Sequence, residues 1–109
     1  MKFYVNNTPW TIRYVHPSSE YLRRMNGTYT LGVTDNSLKI VFISSHLSDE
    51  MKYRVLCHEM VHVYSFEYGC DIDEETEELI ADFISLYGRD LLDITDYILN
   101  CAMLSASRA

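Results

Sequence analysis

The sequence predicts an α+β fold in which a small, mainly antiparallel sheet packs on two long helices. Short runs rich in β-branched and aromatic residues occupy positions 1–43, whereas longer stretches with helical apolar spacing fill positions 48–104. A length of 109 residues with 48% hydrophobic side chains allows one modest core but not two. We therefore expect a single domain over residues 1–109.

Four apolar runs predict the strands of the sheet, and polar turn residues separate them. The runs are Lys2–Val5, Trp10–Val15, Tyr29–Val33 and Leu38–Ile43. The four polar residues at 34–37 suit a hairpin between the last two runs. A short helix is expected over residues 20–25, with Ser18 or Ser19 as its cap.

Two long helices are predicted in the second half of the chain. The first should run from Ser48, a capping residue, to Tyr68, because the following Gly69 is a typical helix terminator. The second should begin near Glu74 and reach at least Tyr87. The next residue, a glycine, either breaks this helix or only weakens it, since the apolar spacing continues beyond it.

The charge distribution limits the kinds of partner. Residues 1–54 carry seven basic and four acidic side chains, whereas residues 55–109 carry two basic and twelve acidic ones. Phosphate binding needs a basic face, so nucleic acid is not expected as a partner. The sequence has neither the apolar run of a signal peptide nor a stretch long enough to span a membrane. We expect a cytoplasmic protein with no membrane partner.

Three cysteines, Cys57, Cys70 and Cys101, are too few and too widely spaced for a disulfide framework or a cysteine-based zinc site. They are expected to be reduced thiols that pack as small hydrophobic side chains.

The segment from His58 to His62 has the pattern His-Glu-x-x-His and lies within the first predicted helix. Residues four apart share one helix face, so both imidazoles point into the same space, as two ligands of one zinc ion require. Glu59 lies one residue round the helix from His58, where a general base can reach water beside the metal.

The second predicted helix offers a third ligand. Glu78 follows His62 by sixteen residues, which leaves room for a turn and an antiparallel return. Glu78 and Asp82 share a helix face, so if Glu78 meets the metal then Asp82 can reach a ligand histidine. The neighbouring glutamates, at positions 74, 75 and 77, remain alternative ligands.

At these residues the chain resembles the gluzincin metallopeptidases, in which His-Glu-x-x-His is completed by Glu-x-x-x-Asp on the next helix. Small size and the run from Ala81 to Phe83 make it most similar to the ImmA/IrrE-type and minigluzincin peptidases, over roughly residues 30–90. The resemblance implies a minimal zincin-like domain with one Zn²⁺ between its helices. It also implies the role of each site residue: His58, His62 and Glu78 as ligands, Glu59 as the catalytic glutamate, and Asp82 as the support of His58.

The resemblance implies a zinc-dependent endopeptidase that hydrolyses peptide bonds of an intracellular protein, for which a regulatory protein such as a repressor is the first candidate. The protein or peptide substrate is expected to extend along an exposed strand, Leu38–Ile43 or its neighbour. Two alternatives remain open. One is a catalytically silent, zinc-stabilised binding or regulatory module, and the other is a metal-free interaction face. His46 is also considered for oxyanion or substrate contact, although a lone loop histidine is more often a surface residue.

Overall fold

The computed structural model describes the backbone of residues 1–108 and the side chains of residues 1–102. Four strands precede two helices, and a single 3₁₀ turn lies between the second and third strands. The elements are β1 (Lys2–Val5), β2 (Thr8–Val15), the 3₁₀ turn (Glu20–Leu22), β3 (Gly32–Asp35), β4 (Ile40–Ser44), α1 (Asp49–Tyr68) and α2 (Glu74–Arg108). This architecture confirms the α+β class.

The sheet is mixed, and its strand order is β1-β2-β4-β3. β1 pairs with β2 and β3 pairs with β4 in antiparallel fashion, but β2 and β4 run parallel. The parallel pair arises because β4 inserts between β2 and β3, so that β3 becomes an edge strand. The expectation that Leu38–Ile43 is an exposed strand is therefore wrong, because β4 is paired on both sides. Its neighbour β3 takes the edge position.

The β3–β4 hairpin lies a few residues further along the chain than the sequence predicts. The carboxylate of Asp35 accepts hydrogen bonds from the Leu38 backbone N–H (2.9 Å) and the Ser37 hydroxyl (2.7 Å), which organises the turn. Lys39 adopts a left-handed φ of 56° before β4 begins. The hydrogen bonds from Leu38 and Ser37 also lower the pKa of Asp35.

The helix boundaries follow the local signals. The hydroxyl of Ser48 caps α1 by accepting a hydrogen bond from the Met51 backbone N–H (3.2 Å), and Gly69 ends the helix with a left-handed φ of 58°. Gly88 does not interrupt α2, which continues to Arg108. Over the residues that the structure describes, neither helix has a stretch apolar and long enough to cross a membrane.

The core lies between the sheet and α1. Trp10, Val41 and Ile43 of the sheet and Val63 of α1 are fully buried and belong to one cluster. On α2, Ala81 is fully buried, where α1 and α2 pack together. α1 therefore packs on the sheet, and α2 packs against α1.

The cysteines do not pack as expected. Cys57 is half-buried, but Cys70 and Cys101 are exposed. Cys70 lies in the connection between the helices, and Cys101 lies on the second half of α2, where every side chain from Arg89 to Ala102 is exposed. Cys70 and Cys101 are exposed rather than packed because both lie outside the core.

A partly buried ion pair ties the end of α1 to the sheet. One carboxylate oxygen of Glu67, Oε1, accepts hydrogen bonds from the indole N–H of Trp10 (2.9 Å) and from Nζ of Lys39 (2.7 Å). The Glu67 side chain is only 9% exposed, and the Lys39 ammonium also lies 5.1 Å from the centre of the Trp10 ring. The hydrogen bond from Lys39 is the largest cause of the lowered pKa of Glu67.

We predict that Glu67→Gln lowers the free energy of unfolding at neutral pH and that this deficit shrinks in acid. The lowered folded-state pKa means that the ionised carboxylate stabilises the fold above its ordinary pKa of 4.5 and loses this effect as the pH falls through the folded pKa. Urea unfolding of both proteins at neutral pH and at about pH 3 would measure the gap. Glu50→Gln is the control, because Glu50 pairs with Arg54 on the surface and should matter little. A Glu67→Gln deficit that stays constant with pH would contradict the prediction.

Candidate metal centre

The candidate site lies where α1 faces the first turns of α2. His58 and His62 project from one face of α1, and their ring centres are 5.1 Å apart. Glu78 reaches both rings from α2. Its Oε2 lies 3.0 Å from Nε2 of His58, and its Oε1 lies 2.9 Å from Nε2 of His62. One nitrogen from each ring and one oxygen of Glu78 all lie within 4.8 Å of one another.

The other nitrogen of each ring also meets a carboxylate from α2. Nδ1 of His58 lies 3.0 Å from Oδ1 of Asp82, the residue that the resemblance assigns to this position. Nδ1 of His62 forms a hydrogen bond of 2.8 Å with Oε2 of Glu77. Each imidazole is thus held between two acidic groups, one at either nitrogen.

Sequence reasoning treated Glu77 only as a rival ligand and missed its contact with His62. The Glu77 side chain is 13% exposed, whereas that of Glu78 is 50% exposed. A signal was present in the sequence, because Glu77 lies one helical turn before the small residue Ala81, which packs in the helix interface. Glu77 is therefore on the side of α2 that faces α1.

The electrostatics of this cluster favour a cation. A neutral imidazole has one N–H and one lone pair, yet all four ring nitrogens face carboxylate oxygens. With both rings neutral, two of the four contacts would place a lone pair against a negatively charged oxygen. A cation bound between the two Nε2 atoms and Glu78 would remove that repulsion while Asp82 and Glu77 accept the Nδ1 protons. The residues present therefore fit a metal ion.

Two imidazoles and one carboxylate match a particular metal chemistry. They are the ligand types of catalytic zinc sites, which use three protein ligands and leave a position open. In a tetrahedral site with bonds of about 2.0–2.2 Å, neighbouring ligand atoms lie roughly 3.4 Å apart. In the structure the two Nε2 atoms lie 3.0 and 2.9 Å from separate oxygens of Glu78, and one ligand atom from each of the three residues lies within 4.8 Å of the others.

Glu59 lies beside the cluster and is 6% exposed. The hydroxyl of Thr34 in β3 donates a hydrogen bond to Oε1 of Glu59 at 2.9 Å and lies 3.2 Å from its backbone carbonyl oxygen. Burial raises the pKa of Glu59, against the opposing effects of the Thr34 hydrogen bond and of the nearby His62 and His58. The second carboxylate oxygen is not used by Thr34.

The contact between Thr34 and Glu59 depends on a close approach of β3 to α1. A Cβ atom at Gly32 would lie 2.7 Å from Cγ1 of Val55 and 3.1 Å from Cγ of Glu59. Any larger residue would push the strand away from the helix. Neither Gly32 nor Thr34 was a sequence candidate, because both act through a pairing between distant parts of the chain.

An open cleft runs past the cluster and is lined by β3, both helices and the loop that precedes β3. Arg24 of that loop lines the cleft. Its guanidinium donates a hydrogen bond to the Thr30 hydroxyl at 3.3 Å. Tyr29 lines the same region and was not singled out from the sequence. The loop thus adds a positive charge and a phenol to an acidic site.

His46 lies elsewhere. Its ring packs edge-on against His16, with ring centres 5.1 Å apart. The cleft beside His58 is lined by residues other than His46. The geometry gives His46 no direct place at the cluster.

No protein family, curated protein or solved structure matches this chain.

We predict that Gly32→Ala destabilises the protein by about 1–3 kcal/mol, because the added methyl group collides with Val55. Val55→Ala removes the colliding atom, so the double variant should lose less stability than the two single variants together. Urea unfolding of the wild type and the three variants gives the interaction energy. Simple additivity within about 0.3–0.5 kcal/mol would show that the strand does not rest on Val55 as the structure describes.

Proposed function

We propose that the protein is a zinc-dependent endopeptidase of the gluzincin type, similar to the ImmA/IrrE-type and minigluzincin peptidases. One observation carries the proposal: the Nε2 atoms of His58 and His62 converge on Glu78, while a separate carboxylate holds each Nδ1. His58, His62 and Glu78 would hold one Zn²⁺. Asp82 and Glu77 would fix the ring tautomers and raise the basicity of the ligands.

A zinc ion in such a site activates water and polarises the scissile carbonyl. The chain supplies the base. Thr34 holds Oε1 of Glu59, which leaves Oε2 to accept the proton of the attacking water. Burial strengthens this carboxylate as a base because it raises the pKa. The water oxygen bonds to the carbonyl carbon, the C–N bond breaks, and Glu59 returns the proton to the leaving amine nitrogen.

The position of β3 at the edge of the sheet favours a protein or peptide as the substrate. It pairs with β4 on one side, and its other edge faces the cleft that contains the cluster. An extended peptide could add to that edge through backbone hydrogen bonds, which bind with little side-chain selectivity. A cytoplasmic regulatory protein, such as a repressor, is the first substrate to test, because the family resemblance points to one.

We predict that Glu78→Ala weakens zinc retention whereas Glu75→Ala does not. Both changes remove a glutamate from the first turns of α2, but only Glu78 contacts the imidazoles. Zinc content after dialysis and the rise in melting temperature on adding zinc would measure the effect. Asp82→Asn should retain the site with roughly 10- to 100-fold weaker affinity. Loss of zinc from Glu75→Ala, with full retention in Glu78→Ala, would show that the ligand is wrongly assigned.

We predict that Glu59→Gln keeps the fold and the zinc but lowers peptide hydrolysis by about 10²–10⁴-fold, the usual cost of losing general acid–base assistance. The variant should also trap substrates, so proteins captured with it can be tested for cleavage by the wild type. Glu50→Gln, the same change at an exposed site on α1, is the matched control and should cut like the wild type.

These measurements separate the enzyme from the alternative of a catalytically silent, zinc-stabilised binding module. That module would bind zinc and a partner but leave the partner intact in both proteins. If the wild type and Glu59→Gln cleave a captured partner equally fast, Glu59 is not the base.

A further inference from the structure

The second half of α2 carries a large apolar surface. α2 has 35 residues, against 20 in α1, and the molecule measures 62 Å along its longest axis but only 31 and 28 Å along the others. Leu91, Ile94 and Ile98 are between 45% and 59% exposed. Helices gain most of their stability in water from packing of an apolar face. Such a surface on so long a helix indicates a docking face.

Six of the exposed apolar residues of α2 follow a regular spacing. They alternate in steps of three and four over about two and a half heptads: Ile84, Tyr87, Leu91, Ile94, Ile98 and Cys101. This is the spacing of a seam between two packed helices, in which each side chain inserts among residues of the facing helix. We call these six residues the α2 seam.

The charges on α2 indicate what kind of helix covers the seam. Asp93 and Asp96 lie away from the seam. Among the positions that flank the seam between residues 88 and 97, Asp90 is the one charged residue. Flanking charges normally select a different partner or repel an identical helix. Here an identical helix meets little repulsion, although the chain has a net charge of −7.

The first half of α2 provides a surface that fits the second half of another copy. Beside the start of the seam lies a groove whose lining is wholly apolar and includes Leu79, Ile80, Phe83 and Leu92. Gly88 also lines it and, having no side chain, leaves space in the groove. The groove on the first half of α2 can therefore receive the exposed apolar side chains from the second half of another copy when the two helices run in opposite directions.

We propose that two copies of this chain form a homodimer through antiparallel packing of their α2 seams. In the register that uses the whole seam, Leu91 faces Ile94 of the second copy, Tyr87 faces its Ile98, and Ile84 faces its Cys101. The contact is isologous, as in most homodimers. It extends about 25 Å at 1.5 Å per residue.

Two features favour the antiparallel orientation over the parallel one. α2 begins with four glutamates within five residues, and a parallel pair would place these acidic ends side by side. An antiparallel pair also aligns the helix dipoles favourably. The dimer does not involve the imidazole–carboxylate cluster, so it stands whether or not the proposed peptidase activity is correct.

The first test compares Leu91→Glu with Leu86→Glu. The two leucines are 45% and 51% exposed, and five residues separate them, which places them about 140° apart around the helix. Sedimentation equilibrium over a dilution series should show the wild type and Leu86→Glu at twice the chain mass of 12.8 kDa, and Leu91→Glu as a monomer of unchanged helicity. A wild type that is monomeric throughout, or a dimer that Leu91→Glu leaves intact, would overturn the proposal.

The second test fixes the register with a short thiol-reactive cross-linker, in a Cys70→Ser background. Ile84→Cys should give covalent dimers through Cys101 of the second copy, and adding Cys101→Ser should abolish them. Without Ile84→Cys, the two Cys101 residues of an antiparallel dimer lie roughly 25 Å apart along the helix axis and should not cross-link. Efficient cross-linking of Cys101 to Cys101 would show a parallel pair and overturn the proposed orientation.

Discussion

Contact between two imidazoles and three carboxylates constrains the way in which α1 and α2 pack. His58 and His62 have side chains that are 21% and 13% exposed, and Glu77 is equally well covered. Buried polar groups are costly unless each finds a partner, so the helices must meet in the register that pairs both nitrogens of both rings. The same register buries Ala81 and brings Glu78 between the rings. The register in which the two helices pack therefore also determines the geometry of the candidate centre.

Much of the helical part could be predicted because its signals are local. Ser48 and Gly69 mark the ends of α1 through capping and left-handed geometry, and both appear in the sequence as residue types suited to those roles. The four-residue spacing of His58 and His62, and of Glu78 and Asp82, determines which side chains share a face. Helical periodicity therefore indicated which residues share a face of each helix, whereas Glu78 was preferred to its neighbours because of its spacing to Asp82 and the family resemblance.

The parts that could not be predicted depend on pairing between distant segments. Nothing near β4 indicates that it inserts between β2 and β3, because both orders bury the same apolar run. The contact of Thr34 with Glu59 joins residues 25 positions apart, and it exists only because Gly32 lets the strand approach the helix. The role of Glu77 was missed for a different reason: an acidic first turn usually interacts only with water and the helix dipole.

The hydrogen bond from β3 to Glu59 links substrate binding to the chemical step. Under the proposed mechanism, a peptide added to the edge of β3 contacts the strand that also holds the base through Thr34. A peptide that shifts the strand would move Glu59 at the same time. Discrimination among substrates would then appear in kcat as well as in KM, so two peptides of equal affinity could differ in turnover according to how each seats β3.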